Sequence, residues 1–204
     1  MRLNRFEFHL MNNPVRAASQ RWIEATTLLA NAELPPRPRV LEIGCGRGVG
    51  LGIVERRFPG GFVAGFDLDP AMAALARERI ACSRLAAGVS VADAERLPFE
   101  DARFDAAVEF GILHHVPGWR TALVELARVL KPGGHFWFED LTSTFSENGV
   151  TSLFLEHPRG LELHASTFRD ALVHAGFEVE SLRDVLGLGF FGHAIRRAAG
   201  PAST

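Results

Sequence analysis

Three glycines alternate with other residues directly after a short apolar segment. The stretch VLEIGCGRGVG, residues 40–50, contains Gly44, Gly46 and Gly48, with a carboxylate, Glu42, inside its apolar part. Glycine allows the backbone to adopt positive φ, and because it has no Cβ a ligand can approach the main chain closely. The spacing therefore predicts a loop that binds a large, nucleotide-like ligand.

The spacing of the glycines distinguishes between kinds of nucleotide site. A dinucleotide-binding fold needs G-x-G-x-x-G, but counting from Gly44 the third glycine position is Val49, so the match is to G-x-G-x-G. A phosphate-binding P-loop needs Gly-Lys-Ser/Thr, and the only lysine in the sequence is Lys131. Phosphate binding is therefore disfavoured, and an NAD-dependent oxidoreductase is the less favoured alternative.

A second stretch, EFGILHHVPGW, contains side chains that could move a proton. It holds Glu109, His114 and His115 directly after the apolar segment FDAAVEF. Histidine has an unperturbed pKa near neutrality and can accept a proton, whereas Glu109 could orient an amine or a hydroxyl. We predict His115, His114 and Glu109 as candidate catalytic residues, and a structural role for one histidine as the alternative. Adjacent histidines rarely bind one ion, so no metal site is expected.

Extended and helical patterns alternate along the chain. Predicted strands cover residues 39–43, 62–68, 88–92, 104–110, 135–140, 177–185 and 189–197, and predicted helices cover 14–29, 49–58, 70–80, 119–130 and 166–175. Strands that alternate with helices imply βαβ units and a parallel sheet covered on both faces. The last two strands are expected to form an antiparallel hairpin at the edge of that sheet.

Composition limits the classes of partner. The formal net charge of -2 and the scattered arginines disfavour a nucleic-acid substrate. Two cysteines are too few for a disulfide framework. No apolar run is long enough for a membrane span and no signal peptide is evident, so a cytoplasmic location is expected. The sequence does not predict the oligomeric state.

Four ordered stretches resemble the class I S-adenosylmethionine (SAM)-dependent methyltransferases. They are LEIGCGRG, FDLDPAM, VADAERLPFEDARFDAAV and LARVLKPGGHFWFED, and together they cover residues 39–140. The sequence is most similar to the branch that includes the quinone-biosynthesis C-methyltransferases. This resemblance implies a Rossmann-like, doubly wound, mostly parallel seven-stranded sheet with an antiparallel C-terminal hairpin, and SAM as the cofactor.

The resemblance also implies roles for individual residues. Asp67 would accept hydrogen bonds from the two ribose hydroxyls, Asp93 and Ala94 would contact adenine, and Glu42 would hold the glycine loop and the amino group of the ligand. The alternatives are that Asp67 is a simple turn residue, that Asp93 is a solvated loop residue, and that Glu42 is a structural anchor. Cys45 lies in the loop, although no chemistry is assigned to its thiol. The implied cofactor-binding set is Glu42, Gly44, Cys45, Gly46, Asp67, Leu68, Met72, Asp93, Ala94 and Glu109.

A single domain, residues 1–204, is expected at this length. It divides into an N-terminal helical cap (1–38), a SAM-binding core (39–140) and a substrate-side loop, helix and hairpin (141–204). The residues expected to line an apolar acceptor pocket are Phe6, Phe8, Met11, Trp22, Phe145, Phe154, Leu155, Phe190 and Phe191. The implied function is methyl transfer to a small, possibly hydrophobic, molecule by in-line displacement; a non-catalytic SAM-binding or scaffolding protein is the alternative.

Overall fold

Seven strands form one sheet in the order β3-β2-β1-β4-β5-β7-β6. The structure is a computed structural model that describes residues 28–146 and 160–198. The strands are β1 (Arg39–Ile43), β2 (Phe62–Asp67), β3 (Ala87–Val91), β4 (Phe104–Phe110), β5 (Leu130–Leu141), β6 (Phe177–Val185) and β7 (Gly189–Arg196). The first five strands run parallel, and β7 is antiparallel to both β5 and β6. The predicted fold class is confirmed.

The helices follow the strands as the alternating pattern predicts. They are α1 (Val49–Arg57), α2 (Pro70–Ser83), α3 (Trp119–Val129), the short α4 (Ser143–Ser146) and α5 (Ala165–His174), and a 3-10 turn covers Leu113–His115. None of the helices in residues 28–146 and 160–198 combines the length and apolarity that crossing a membrane requires. The predicted N-terminal helix, residues 14–29, lies almost entirely outside the described residues.

Both faces of the sheet are buried. On one face, α3 and α5 pack against the strands through aromatic residues such as Trp119, Phe138 and Phe168. On the other face, α1 covers Val40, Val63 and neighbouring strand residues. This burial on both sides explains why the parallel strands are continuously apolar rather than alternating.

Two predicted boundaries differ from the structure by more than one residue, for local reasons. Helix α2 ends at Ser83 rather than at residue 80. The residue that ends it, Arg84, adopts a left-handed conformation (φ 53°) although it is not glycine, and its N–H bonds to the carbonyl oxygen of Ile80. The sequence therefore has no glycine to mark this end. Strand β5 begins at Leu130, five residues before the predicted start. Leu130 pairs with Phe104 before the register shifts.

The order of the strands places the ligand site. The chain proceeds from β1 outward through β2 and β3, then returns to the other side of β1 with β4. Such a reversal leaves a crevice at the carboxyl ends of the two central strands, which is where open α/β sheets bind ligands. The glycine loop follows β1 and the stretch with Glu109 ends β4, so both predicted sites lie at this crevice.

Candidate functional site

The glycine loop has the backbone conformation that its sequence predicts. Gly44, Gly46 and Gly48 have φ of 61°, 50° and 78°. A Cβ added to Gly44 would lie 2.7 Å from the side chain of Ile112, whereas a Cβ on Gly46 would meet no atom of residues 28–146 and 160–198 within 4 Å. Gly44 is therefore needed for packing against the segment after β4. Gly46 instead borders open space where a ligand can reach the main chain.

Asp67 ends β2 and holds the glycine loop. Its Oδ2 accepts a hydrogen bond from the Gly46 N–H at 2.9 Å, and its Oδ1 accepts one from the Asp69 N–H at 2.9 Å. Burial raises the pKa of Asp67, and these two backbone hydrogen bonds oppose the rise. The carboxylate remains half-buried. It is thus fixed in orientation at the strand end where the resemblance places the ribose contact.

Glu42 lies beneath the first turns of α1. It is 1% exposed, and a Cβ added to Gly50 would lie 2.0 Å from its Oε1, so only glycine fits at that helix position. Its Oε2 has no hydrogen-bond partner among the described residues. Burial, and secondarily the charge of Asp67, raises the pKa of Glu42 well above its usual value. A buried carboxyl oxygen without a donor is costly, so a donor supplied by a ligand would be favourable.

The residues predicted to contact adenine are only partly brought together. Leu68 is 47% exposed at the end of β2, and Asp93 is exposed in the loop after β3. The main chain of Ala92 donates to the carbonyl oxygen of Asp67 at 3.1 Å, which joins the two segments. Ala94 and Met72 are buried in the core. Asp93 Oδ1 accepts from the Glu95 N–H at 3.0 Å, as an ordinary loop aspartate also would.

The Cys45 thiol packs in the interior. A Cβ on Gly65 would lie 3.1 Å from its sulfur atom, and the Cys45 N–H donates to the carbonyl oxygen of Phe66 at 2.9 Å. Burial, followed by the charges of Glu42 and Asp67, raises the pKa of the thiol. A thiol held neutral in this way is a poor nucleophile.

Glu109 is buried at the carboxyl end of β4. Its Oε1 accepts a hydrogen bond from the Ile112 N–H, which turns the chain back over the strand end. Its Oε2 has no partner within the parts of the chain that the structure describes. Burial, and then the nearby charge of Asp140, raises the pKa of Glu109 well above its usual value.

His114 is held by Asp140, a residue that the sequence did not indicate. Asp140 Oδ2 accepts from the His114 N–H at 3.0 Å, its Oδ1 contacts His114 Nδ1, and Oδ1 also accepts from the Leu141 N–H at 2.7 Å. His114 is 3% exposed. His115 is half-buried, and its ring centroid lies 4.1 Å from that of His114. The two histidines and Glu109 are therefore brought to one place.

Asp140 and Ile112 were missed because their signals are not local. Asp140 ends a strand in the sequence, as Asp67 does, but its partner His114 is 26 positions away. The pairing of β4 with β5 was the information needed to connect them. The contact of Ile112 with Gly44 likewise depends on β1 and β4 being neighbours.

Two residues predicted to line the acceptor pocket have other surroundings. Phe190 is 2% exposed and packs in the core, with its ring centroid 4.8 Å from that of Phe168. Phe191 is half-buried and packs against the core on the opposite face. The remaining predicted pocket side chains, those of Phe6, Phe8, Met11, Trp22, Phe145, Phe154 and Leu155, lie outside the described part of the chain.

The chain is similar to known methyltransferases. Residues 41–138 match the family described as a methyltransferase domain. The fatty-acid O-methyltransferase of Mycolicibacterium smegmatis is 39% identical over 104 residues, covering 50% of this chain and 36% of that protein. The phthiotriol/phenolphthiotriol dimycocerosates methyltransferase of Mycobacterium leprae is 36% identical over 103 residues, covering 50% and 37%. These matches span little more than a third of the relatives' length.

A solved structure extends the likeness of fold to nearly the whole chain. The SAM-dependent methyltransferase from Aquifex aeolicus superposes with a TM-score of 0.76 and 20% identity, covering 96% of this chain and 100% of that one. At this identity the comparison establishes the fold. The match of residues 41–138 to a methyltransferase domain adds similarity in sequence over the segment that contains the glycine loop, Asp67, Asp93 and Glu109.

The described residues fit SAM, the cofactor that this family implies. The open space at Gly46 admits a ligand to the backbone, and a side chain there would occupy that space. Asp67 stands beside the loop with its carboxylate already oriented. The carboxyl groups of Glu42 and Glu109 each retain a buried oxygen that has no donor in the described part of the chain, which suits a ligand that carries an ammonium group.

Proposed function

We propose that this chain is a class I SAM-dependent methyltransferase and that it transfers a methyl group to a small, apolar, lipid-like molecule. The observation that carries the proposal is the side-chain-free cradle at Gly46 next to the oriented carboxylate of Asp67. The match of residues 41–138 to the methyltransferase domain supports it. Two relatives whose names refer to fatty acids and to dimycocerosates support a lipid-like acceptor.

The glycine loop and the ends of β1 to β4 would hold the cofactor. Asp67 would bind the ribose hydroxyls, the loop with Asp93 and Ala94 would border adenine, and Glu42 would support the amino-acid end. When bound, SAM supplies an activated methyl group: the bond from sulfur to the methyl carbon breaks with its electron pair going to sulfur, while the nucleophile's lone pair forms the new bond. Holding the acceptor near attack distance lowers the activation free energy by several kcal/mol. With ideal alignment the reduction reaches about 7–11 kcal/mol.

The residues after β4 would supply proton transfer where the acceptor must lose a proton. His114 and His115 are the candidate bases, and Glu109 would orient the acceptor or the cofactor. Asp140 would act as a positioning residue, because its carboxylate accepts a hydrogen bond from Nδ1 of His114, which keeps that nitrogen protonated and fixes the orientation of the ring. A base of this kind contributes about 10²–10⁴-fold to a reaction that needs it.

The proposed organisation follows the three segments of the chain. Residues 39–140 would bind the cofactor, and residues 1–38 and 141–204 would cover and select the acceptor. A cytoplasmic location is part of the proposal and is supported by the two free cysteines, Cys45 and Cys82.

Binding and turnover test this function in sequence. Calorimetry with SAM, with its demethylated product S-adenosylhomocysteine and with NAD should show binding of the first two and none of the third. Methyl-labelled SAM incubated with the protein and a lipid extract should then label an apolar product. Gly46→Val is the matched control, since it fills the cradle and should abolish both signals.

The two alternative functions predict different results. An NAD-dependent oxidoreductase would bind NAD and ignore SAM. A non-catalytic SAM-binding protein would bind SAM but label no product in any extract, and that result would overturn the proposed methyl transfer while leaving the cofactor assignment intact.

A further inference from the structure

The loop after β3 forms a tight turn at the residues proposed to border adenine. The Arg96 N–H donates to the carbonyl oxygen of Asp93 at 3.1 Å, and the Glu95 N–H donates to Asp93 Oδ1 at 3.0 Å. Ala94, which lies between Asp93 and Glu95, is buried in the core. These bonds fix the Asp93 carboxylate relative to the main chain of Ala94. The position of the whole turn beside the crevice depends on its attachments to other elements.

Glu95 attaches the turn to the beginning of α3. Its Oε1 accepts a hydrogen bond from the N–H of Gly118, the residue that precedes the helix and has no side chain to cap it. The donor and acceptor are 2.9 Å apart. A Cβ added to Gly118 would lie 2.1 Å from Glu95 Oε2, so a larger residue there would displace the carboxylate. A carboxylate is favourable at this place, because the first N–H groups of a helix lack partners within the helix.

Arg128 forms a second attachment, from the last turn of α3. Its Nη2 donates to the carbonyl oxygen of Leu97 at 3.0 Å, and its Nη1 donates to that of Phe99 at 2.8 Å. Nη1 also donates to Asp101 Oδ1 at 2.7 Å. Nε and Nη2 donate to the two carboxylate oxygens of Glu125, each at 2.8 Å. All five N–H donors of the guanidinium are therefore used.

Glu125 strengthens the hold of Arg128 on the loop. Its Oε2 also accepts a hydrogen bond from the Leu97 N–H at 2.8 Å, so the two side chains together bind both the N–H and the carbonyl oxygen of Leu97. The hydrogen bond from Arg128 is the main cause that lowers the pKa of Glu125, so the carboxylate is ionised at neutral pH. The side chains of Arg128 and Glu125 are 31% and 20% exposed, and their contact is bidentate, which makes it stronger than a typical surface ion pair. Leu97 directly follows Arg96, so this pair fixes the end of the turn.

We propose that Arg128 is a positioning residue for recognition of the cofactor's base, because it holds the turn with Asp93 and Ala94 against α3. This inference rests on the proposed function, and on adenine contacts in which the Asp93 carboxylate accepts from the exocyclic amine and the Ala94 N–H donates to a ring nitrogen. A displacement of the turn by about 1 Å would lengthen both hydrogen bonds beyond their useful range. Arg128 would thus determine the preference for adenine without contacting the cofactor.

Two ligands that differ only in the base test this role. S-adenosylhomocysteine is compared by calorimetry with S-inosylhomocysteine, in which a carbonyl oxygen replaces the exocyclic amine and the neighbouring ring nitrogen carries a proton. The second base would present an acceptor to the Asp93 carboxylate and a donor to the Ala94 N–H. The native protein should therefore bind S-adenosylhomocysteine at least about tenfold more tightly than S-inosylhomocysteine.

Substitutions of Arg128 should reduce this affinity ratio. Arg128→Ala should lower the ratio by about fivefold. Arg128→Lys should restore only part of it, because an ammonium group has three donors and cannot reproduce the planar fork. Circular dichroism establishes that each variant is folded; if Arg128→Ala is not, Arg128→Lys should still lower the ratio at least about twofold. A folded variant that is less stable than the native protein but keeps the native ratio would show that Arg128 is only structural, and would overturn the inference.

Arg103→Ala is the matched control. The Arg103 side chain bonds to the exposed Glu100 of the same loop, with Nη1 and Oε2 3.3 Å apart. Its removal also deletes an arginine and an ion pair, but it should change the affinity ratio by less than about twofold. An effect equal to that of Arg128→Ala would contradict the assignment to Arg128.

The failure of this inference can be distinguished from failure of the proposed function. If the native protein binds S-adenosylhomocysteine and S-inosylhomocysteine equally, the turn does not recognise adenine and the inference is wrong, while the cofactor assignment remains. If S-adenosylhomocysteine itself does not bind, the methyltransferase function fails and this inference fails with it.

Discussion

The two halves of the crevice differ in the groups that form them, main-chain atoms in one half and interacting side chains in the other. In the proposed donor half, formed by β1, β2 and the glycine loop, the groups that would face the cofactor are backbone atoms and one oriented carboxylate, Asp67. In the acceptor half, formed by the ends of β4 and β5, they are side chains that hold one another, above all Asp140 and His114.

This difference separates folding from binding. A new side chain at Gly46 can fill this space with modest cost to the fold, because no atom of the described residues lies within 4 Å of where its Cβ would be. Removing one side chain from a buried hydrogen-bond network lowers the stability more, because the partners left behind remain buried without a hydrogen bond. We therefore expect substitutions in the donor half to affect mainly ligand binding, and those in the acceptor half to affect mainly stability.

Asp140→Ala should produce the largest change in stability. It removes the acceptor for three hydrogen-bond donors and leaves His114 buried beside the gap. The free energy of unfolding should fall by about 3–5 kcal/mol. Urea unfolding followed by circular dichroism measures this change.

The control for Asp140→Ala is Glu100→Ala. It breaks an exposed ion pair with Arg103, whose charged atoms are 3.3 Å apart, and should cost at most about 1 kcal/mol. If Asp140→Ala cost no more than this control, the acceptor half would not be the stabilising network described above.

Gly46→Val should have the complementary effect. Its φ of 50° disfavours a residue with a Cβ, so the fold should lose about 1–2 kcal/mol. The same Cβ would enter the space proposed for the cofactor, so binding of S-adenosylhomocysteine should become undetectable by calorimetry. A variant that binds normally would show that the cradle does not face the cofactor.

Gly44→Ala is the informative comparison for Gly46→Val. Its Cβ would meet Ile112 at 2.7 Å, so this substitution should destabilise the contact between the two halves as well as the loop. We expect Gly44→Ala to lower the unfolding temperature more than Gly46→Val, although the added side chain is smaller. The reverse order would mean that the packing of the loop against Ile112 contributes little.

Asp67→Ala should cause a smaller loss of binding. Removing a charged acceptor from the ribose hydroxyls should weaken cofactor binding by about 1.5–3 kcal/mol. The N–H groups of Gly46 and Asp69 also lose their acceptor, but the site is half-buried and water can replace it, so the fold should remain. Asp67→Asn, which keeps one oxygen, should bind with intermediate affinity; affinity equal to that of the native protein in both variants would refute the ribose role.

The donor half could be predicted from the sequence because its signals are local. The three glycines fall within five consecutive residues, and Asp67 ends a segment whose apolar character already indicated a strand. Glycine at these positions allows positive φ, and the structure has positive φ at all three. The hairpin was predictable for the same reason, since its strands are neighbours in sequence.

The acceptor half could be predicted only in part. Glu109, His114 and His115 were recognised by residue type, but the pairing of His114 with Asp140 depends on the register between β4 and β5, which no short stretch encodes. The early start of β5 has a similar origin. Leu130 joins the sheet through its pairing with Phe104, and the following Lys131 binds Asp105 at 2.7 Å, across 26 positions of the chain.

The smallest expected effect concerns pH, and it tests whether the two halves act independently. Each half contains one buried glutamate whose pKa is raised mainly by burial, Glu42 in the donor half and Glu109 in the acceptor half. A raised folded-state pKa means that the folded protein binds the proton more tightly than the unfolded chain. The stabilising contribution is therefore complete below the unfolded pKa and is lost as pH rises through the folded pKa.

Glu42→Gln and Glu109→Gln should each reduce the loss of stability on going from mildly acidic to alkaline pH, as measured by urea unfolding across that range. The two side chains lie on opposite faces of neighbouring strands, since Glu109 is in register with Ile43, and their secondary causes differ: Asp67 acts on Glu42, and Asp140 acts on Glu109. The effects should thus add in the double variant to within about 0.3–0.5 kcal/mol. A larger coupling energy would show that the donor and acceptor halves share one buried charge network. The expectation that one half governs ligand binding and the other governs stability would then be wrong.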